Sequence, residues 1–284
     1  ISSFLASSRG LLNLALTCKS FGWRQPASSL NLSLVEGVAC RAVCSRATDA
    51  EMSSLPAYTS GTTAWMSILN SFEHLLDFDV LLANGRRFIE YKNGDPSVVC
   101  GCQSYVLNTP SGFSRCTAVT SGYVMTSGVH FAQFDDITGM PCIGIVRPMP
   151  GLDADLYLNS GDFGFVDRHR YYRDFLAQRS DDWGGSNIHA CEYDPADTVL
   201  NWTDWGEEEG SIRGERICPH TSIEEMGHIS IVLNLDEGTM AVHDCAYAVH
   251  DKVVLKGGLS GPYCWYVKLT QFENIAIKRG TSQT

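Results

Sequence analysis

From about Phe78 onward the chain is a succession of short apolar runs separated by Gly, Asn, Asp and Pro residues. This rhythm is typical of a sheet protein with many turns, because each run is long enough for a strand and too short for a helix. We therefore place a boundary near residue 77. The sequence predicts a mainly β fold, an antiparallel β-sandwich over residues 78–280, preceded by a small α-helical segment.

Two hairpins are predicted inside this region. Asn93-Gly94 follows the run from Arg87 to Tyr91 and can supply the positive φ angles of a tight turn. From Ile229 to Leu235 apolar residues alternate with polar or small ones, and Asp236-Glu237-Gly238 then turns the chain. Two further runs are predicted as closing strands of the same sandwich: Cys264 to Leu269 and Ile275 to Ile277.

The first 77 residues carry three apolar stripes at helical spacing, which predicts three amphipathic helices. The stripes are Leu11, Leu14, Cys18 and Phe21, then Leu34, Val38, Ala39 and Val43, and finally Trp65, Ile68, Leu69, Phe72, Leu75 and Leu76. Gly22 and Pro26 end the first helix, and Thr48 to Glu51 fits a capping box for a short further turn. We expect these stripes to form a core.

Composition limits the classes of partner. The formal charge of −11 and the pI of about 5.1 would repel a phosphate backbone or an anionic lipid surface, so we expect neither nucleic acid nor membrane as a partner. The eleven cysteines are scattered, odd in number and contain no CxxC pair, which favours reduced buried thiols over a disulfide framework or a zinc site. A cytoplasmic or nuclear location is the corresponding expectation.

Sequence patterns typical of catalysis are absent. There is no Gly-x-Ser-x-Gly elbow, no His-Glu-x-x-His and no phosphate-binding loop. Cys116, Cys142 and Cys264 lie in apolar runs, where ionisation of a thiol is unfavourable. We predict a protein that is not an enzyme, with no catalytic residues, no metal site and no cofactor.

Four ordered segments resemble the SPRY domain. They are Gly122 to Phe131, Ile143 to Pro148, the Gly227 to His243 stretch with Leu235-Asp236-Glu237-Gly238-Thr239, and Gly258 to Val267. We expect Gly238, Asp236 and Trp265 in this set to be structural: a crowded backbone position, an acceptor for turn amides and a filler between sheets. The resemblance covers about residues 78–280 and implies a SPRY-type sandwich.

The resemblance also implies where a partner binds, since SPRY domains recognise a peptide or protein face through loops at one end of the sandwich. The residues that it points to are Arg147, Pro148, Met149, Trp183, Gln271 and Phe272. They combine one cation, apolar or aromatic anchors and a rigid proline, a set suited to anchoring a peptide. Trp183, Trp202 and Trp205 are nevertheless expected to belong to the core.

Residues 1–24 resemble the later part of an F-box. Phe4-Leu5 would match the end of one of its helices, and Leu11 to Phe21 would match the helix that ends in a "cysteine, lysine, x, phenylalanine" pattern. The resemblance implies that Phe4, Leu5, Leu11, Leu14, Cys18 and Phe21 contact a Skp-type adaptor. The leucine-proline and acidic residues that open an F-box are absent. Residues 25–77 would be a helical connecting segment, and the combination resembles proteins of algal and diatom type.

Two functions remain open at this point. The first is the substrate-recognition subunit of a ubiquitin ligase built on Skp, cullin and F-box proteins, with the sandwich binding the target. The alternative is a general SPRY binding or scaffold protein with no ligase association.

Overall fold

The computed structural model describes residues 8–17, 19–22, 32–60, 62–82, 87–92, 95–98, 105–107, 115–157, 160, 163–167, 169–206, 213–216, 228–244, 253–269 and 273–279. Contacts along the chain divide it into two compact units, Ile1–Leu75 and Leu76–Thr284. Among the helices within these ranges, none is long and apolar enough to cross a membrane.

The first unit is helical. Its helices are α1 (Ser8–Thr17), α2 (Lys19–Gly22), α3 (Leu34–Cys44), α4 (Asp49–Ser54) and α5 (Trp65–Glu73). Buried residues of α1, α3 and α5, together with Leu55 after α4, form one apolar cluster of Leu11, Ala39, Val43, Leu55, Ile68, Leu69 and Phe72. The predicted stripes form this core in part: Leu14 and Phe21 are only half-buried, and on α3 Val35 is buried while Leu34 is exposed.

In this unit, carboxylate side chains accept hydrogen bonds from backbone amides at the N-termini of several helices. The predicted capping box of α4 is present, with Glu51 and Thr48 bonded reciprocally. Glu36 of α3 accepts hydrogen bonds from the amides of Trp65 (2.6 Å) and Met66 (3.2 Å) at the start of α5, where Ala64 offers no side-chain cap. Glu73 accepts a hydrogen bond from the Ser8 amide at the start of α1 (2.9 Å). The contacts of Glu36 and Glu73 link α3 to α5 and α5 to α1.

The second unit contains two antiparallel sheets, as expected for a β-sandwich. The first sheet has the strand order β1-β5-β14-β7-β8-β9-β10. Its strands are β1 (Val80–Leu82), β5 (Cys116–Val119), β14 (Cys264–Leu269), β7 (Cys142–Val146), β8 (Ala190–Asp194), β9 (Val199–Thr203) and β10 (Arg213–Arg216). Strands that follow one another in the chain are not always neighbours in this sheet, since β14 lies between β5 and β7.

The second sheet has the strand order β13-β12-β11-β6-β15-β4-β2-β3. Its strands are β13 (Val253–Leu255), β12 (Thr239–Asp244), β11 (Ile229–Asn234), β6 (Val129–Thr138), β15 (Asn274–Arg279), β4 (Tyr105–Leu107), β2 (Arg87–Lys92) and β3 (Asp95–Val98). Both predicted hairpins are confirmed: Lys92 lies opposite Asp95, and Asn234 lies opposite Thr239. The alternating burial predicted for β11 is also present.

The turn between β11 and β12 corrects one prediction. The acceptor for its amides is Asn234, whose Oδ1 binds the amides of Asp236 and Glu237 at 3.1 Å. Asp236 instead accepts a hydrogen bond from the distant Gly128 amide at 2.8 Å. The Asp236 side chain therefore ties the hairpin to the segment that enters β6, which a local sequence pattern could not indicate.

Gly238 behaves as predicted. Its φ angle is +70°, and a Cβ at this position would lie 2.8 Å from the carbonyl oxygen of Leu259. That approach is tighter than packing allows, so the residue needs both the left-handed conformation and the absence of a side chain.

We expect Gly238→Ala to lower the free energy of unfolding by about 2–4 kcal/mol, because it combines left-handed strain with a clash. Gly128 is the matched control: its φ is +82°, yet a Cβ there would meet no atom within 4 Å. Gly128→Ala should therefore cost only the strain, about 1–2 kcal/mol. Urea denaturation of the two variants measures both values, and equal losses would show that the clash with Leu259 contributes nothing.

Candidate functional site

Strand β14 is buried on both of its faces. All six of its residues are buried, including the predicted core residue Trp265. Side chains alternate along a strand, so Trp265 and Tyr266 point to opposite faces. A strand of this kind lies between two layers: the second sheet of the sandwich is one layer, and a further chain segment must supply the other.

That second layer is the connection between β7 and β8, residues 147–189, which we call the cover segment. It contains short 3-10 helices at Ala154–Tyr157, His169–Tyr171 and Asp181–Trp183, and the helix α6 (Tyr172–Leu176). Its aromatic side chains pack as one cluster that includes Tyr157, Phe163, Phe165, Tyr171, Phe175 and Trp183, together with Trp205. Trp183 and Trp205 are thus core residues, as predicted, whereas Trp202 is half-buried.

Three contacts attach the cover segment to the first sheet and to the residues that follow it. Phe165 lies edge-on to Tyr266 of β14, with ring centroids 5.1 Å apart. The indole nitrogen of Trp205 donates to the Phe165 carbonyl oxygen at 2.8 Å. The Thr117 hydroxyl donates to the Phe163 carbonyl oxygen at 3.4 Å. The cover segment is therefore fixed by side-chain packing and by its own backbone carbonyls.

A buried ion pair lies beneath this cover. Lys268 Nζ is 2.6 Å from Glu192 Oε1, and the Tyr266 hydroxyl donates to Glu192 Oε2 at 2.8 Å. Burial lowers the pKa of Lys268, but Glu192, Cys142 and Asp167 together raise it further, so the net pKa lies above its usual value. The ammonium group remains charged and paired, as a buried cation requires.

An apolar groove opens where the cover segment leaves the sheet. Its volume is about 240 Å³. It crosses the ends of β1, β5, β14 and β7 and is lined by Val80, Leu82, Val119, Ser121, Val124, Val146, Arg147, Pro148, Met149, Pro150, Leu152, Phe165 and Cys264. An adjoining concavity of about 390 Å³ shares Val124, Pro148 and Pro150 with it and adds Thr126, Ser180, Asp182, Gly261 and Pro262. We call the two together the Pro148 groove.

The residues predicted to bind a partner occupy different parts of this region. Pro148 and Met149 are half-buried on the groove wall. Arg147 also lines the groove, but none of its side chain is accessible to solvent, and Trp183 is 1% exposed. Gln271 and Phe272 lie outside the described residues. The structure therefore brings Arg147, Pro148 and Met149 together and places Trp183 behind them.

Arg147 is held between aromatic rings. Its guanidinium carbon is 4.2 Å from the centroid of the Tyr263 ring and 5.9 Å from that of Trp183. Nη1 donates to the Pro262 carbonyl oxygen at 3.1 Å. Gly261 permits this geometry, because a Cβ there would lie 2.9 Å from Nη1. The cation is thus positioned by stacking and by one hydrogen bond.

His189 lies directly behind Arg147. Its carbonyl oxygen accepts a hydrogen bond from the Arg147 amide at 2.9 Å, and its ring packs against Trp183 and Trp205 with centroids 5.3 Å from each. Burial, together with the charges of Arg147 and Arg179, lowers the pKa of His189 to about 4. The imidazole is therefore neutral at physiological pH.

The thiols near the groove are poor nucleophiles. Burial raises the pKa of Cys264, which lines the groove, to about 12. Burial likewise raises the pKa values of Cys142 and Cys191 well above their usual range. A thiolate is needed for nucleophilic or ligating chemistry. Within the described part of the chain, no group of three or more His, Cys, Asp or Glu residues could hold a metal ion.

Sequence reasoning missed most of the groove wall. Val124, Pro150 and Leu152 contribute apolar surface, and Asp182 contributes a charge at the outer end. The proline pair flanking Met149 was visible as a rigid turn-forming sequence. Val124 carried no such signal, because it reaches the groove only through the pairing of Met125 with Tyr263.

The predicted adaptor-binding residues of the helical unit differ in their exposure to solvent. Leu11 is fully buried in the helical core, and Leu14 and Phe21 are half-buried. Phe4, Leu5 and Cys18 lie outside the described residues. The exposed apolar surface of α1 comes from Leu12 (52% exposed) and Leu16 (77% exposed).

No family model matches the chain, and no curated protein matches it. Among solved structures, the TRIM65 PSpry domain is 11% identical, with a match that covers 72% of this chain and 91% of that one at a TM-score of 0.41. The SPRY domain of human HERC1 is 14% identical over 69% of this chain and 94% of that one, with a TM-score of 0.37. Stonustoxin is 10% identical over 71% of this chain and 27% of its own chain, with a TM-score of 0.34.

The neutral state of His189 predicts a pH dependence. Unfolded histidine titrates near its ordinary pKa of 6.5, whereas the native ring stays neutral down to about pH 4. Unfolding therefore takes up a proton in this window, so the free energy of unfolding falls as pH decreases from 6.5 towards 4, by up to roughly 3 kcal/mol.

His189→Gln cannot take up this proton, so its unfolding free energy should fall less steeply across the same window. Urea denaturation at half-unit pH steps measures the slopes. The exposed His243 provides the comparison, since His243→Gln removes no buried ring: an equal loss of slope in that variant would show that burial of His189 is not the cause. A wild-type slope for His189→Gln would show that the native imidazole titrates normally.

Proposed function

We propose that this chain is a non-enzymatic interaction module with a SPRY-type sandwich, and that it binds a protein or peptide target in the Pro148 groove. The observation that carries the proposal is the apolar groove itself. It lies at one end of the sandwich, on the segment that the sequence resemblance identifies as a recognition loop. Concave apolar surfaces with a few polar groups are the usual form of a binding site.

The composition of the groove wall supports a peptide-sized ligand. Pro148 and Pro150 are rigid, so they present a preformed surface that loses little entropy on binding. Met149 between them is flexible and adapts to the shape of an apolar side chain. The net charge of −11 disfavours nucleic acid and anionic lipid as the target.

Binding in the groove predicts a specific pattern of mutational effects. We expect Met149→Asp and Val124→Asp each to weaken binding of a selected peptide at least tenfold, because each places a charge on an apolar wall. Leu156→Asp is the matched control, since Leu156 lies on the same cover segment, is 75% exposed and does not line the groove.

The measurement starts with peptides selected from a phage-displayed random library against the whole chain. Fluorescence polarisation then gives their dissociation constants for the wild type and the three variants, with circular dichroism as the check on folding. Equal binding by folded Met149→Asp and Val124→Asp would place the recognition surface elsewhere.

We further propose that the helical unit recruits a Skp-type adaptor, which would make the chain a substrate-recognition subunit of a cullin-based ubiquitin ligase. Support for this finer function comes from the F-box resemblance and from the exposed Leu12 and Leu16, which share one face of α1. The alternative is a scaffold protein whose helices take no part in ligase assembly. A cytoplasmic or nuclear location suits either function, since none of the described cysteines forms a disulfide, as is usual in a reducing compartment.

The adaptor proposal predicts that a purified Skp-type adaptor co-elutes with the chain in size-exclusion chromatography. The double variant Leu12→Asp/Leu16→Asp should abolish this complex, because it places two charges on the apolar contact face. Leu34→Asp is the matched control, as Leu34 is exposed on α3. If the wild-type chain and the adaptor elute separately, the adaptor proposal is wrong and the scaffold function is the remaining alternative.

A further inference from the structure

Arg147 is a fully buried cation with part of its hydrogen-bonding capacity unused. Its side chain is completely inaccessible to solvent, and its Nε and Nη2 atoms are buried and have no hydrogen-bond partner among the residues that the structure describes. The groups that perturb it electrostatically are Tyr263 and the cation Arg179, with no carboxylate among them. Within the described part of the chain, no acidic side chain forms an ion pair with it.

Such an arrangement is unfavourable for folding alone. A buried charge is normally paired, and buried N–H groups are almost always hydrogen-bonded. The second buried cation of this sheet shows the usual solution, because Lys268 lies 2.6 Å from Glu192. The contrast between Lys268 and Arg147 indicates that the partner of Arg147 comes from outside the fold.

The two unused nitrogens specify the shape of that partner. Nη1 is occupied by the Pro262 carbonyl oxygen, which leaves Nε and Nη2. These two atoms form one edge of the planar guanidinium, and their N–H groups point in the same direction. That edge matches the two oxygens of a carboxylate, which it binds side-on through two parallel hydrogen bonds.

We infer that the Pro148 groove recognises a peptide segment carrying an aspartate or glutamate, whose carboxylate pairs with the Nε and Nη2 edge of Arg147 while neighbouring apolar residues fill the groove. The inference rests on the proposed function and names the chemistry of its ligand. Arg147 lines the groove directly, and the residues that follow it, Pro148 and Met149, form the wall against which the peptide would lie.

Entry of the carboxylate requires a small local rearrangement, because both nitrogens are sealed from solvent in the unbound chain. Met149 lines the same groove, is half-buried and has a flexible side chain, so it can change conformation without disturbing the sheet. Once formed, the pair would be shielded from water, which strengthens the interaction relative to one on the surface.

A carboxylate fits this site better than a phosphate. A phosphate group carries a second charge and a third oxygen, which call for additional donors. Arg147 offers one edge, and Arg179, a further cation whose charge acts on it, is exposed to solvent. Apolar side chains supply most of the remaining wall.

The test uses the whole chain and three acetylated, amidated hexapeptide libraries with identical random apolar positions. Their central residue is Asp or Glu in the first, Asn or Gln in the second, and phosphoserine in the third. Fluorescence polarisation measures binding to each. We expect the acidic library to bind at least tenfold more tightly than the amide library, and more tightly than the phosphoserine library.

Three variants test whether Arg147 causes the preference for the acidic library. Arg147→Met should bind the acidic and amide libraries equally, and Arg147→Lys, which keeps the charge and loses the planar edge, should retain only part of the difference. Arg179→Met is the matched control and should keep the wild-type preference. If Arg147→Met does not fold, the Arg147 Nε–H resonance of the ¹⁵N-labelled wild type replaces it: this signal must shift with the acidic library and stay in place with the amide library.

The outcomes separate the inference from the function on which it rests. Equal binding of acidic and amide libraries, lost in Met149→Asp, would overturn the carboxylate inference and leave the groove as the peptide site. Preference for phosphoserine, or an acidic preference that survives in Arg147→Met, would also overturn it. Binding of none of the libraries would overturn the groove function together with the inference.

Discussion

The burial of β14 on both faces is the constraint from which the rest of the second unit follows. One face is covered by the second sheet, and the other needs a layer that no strand provides. The cover segment supplies it, and its aromatic cluster packs on Tyr266 because that residue projects from the middle of the strand. The Pro148 groove is the place where this layer ends and the sheet continues. The groove and the aromatic core of the cover segment therefore have the same origin.

The same covering layer explains the unusual electrostatics of the sheet. Burying its outer face also buries the polar side chains that it carries, and the fold deals with them in two ways. Lys268 and Tyr266 both contact the carboxylate of Glu192 beneath the cover. Arg147, at the margin of the cover, is stacked on Tyr263 and only partly hydrogen-bonded. The buried cation inside the layer has an ion-pair partner, whereas within the described residues the one at its edge has none.

Local patterns predicted the elements well and the site only in part. The hairpin at Asp236 to Gly238 and the capping box at Thr48 followed from residues close together in sequence, and both are confirmed. The stripe on α3 differs only at its first position, where Val35 is buried and Leu34 is exposed; both residues are apolar, so the sequence pattern alone did not decide between them. Arg147 was selected as a contact from resemblance, but its burial depends on Tyr263 and Trp183, which are distant in sequence.

The cover segment joins two strands, β7 and β8, that are already hydrogen-bonded neighbours. Changing the length or sequence of a connection between adjacent antiparallel strands leaves their register intact, provided that the aromatic anchors are kept. The groove wall from Pro148 to Leu152 lies within this single connection. Exchange of one continuous stretch of coding sequence would thus change this part of the groove wall and leave the sheet as it is, which makes the stretch a natural unit for transfer to another sandwich.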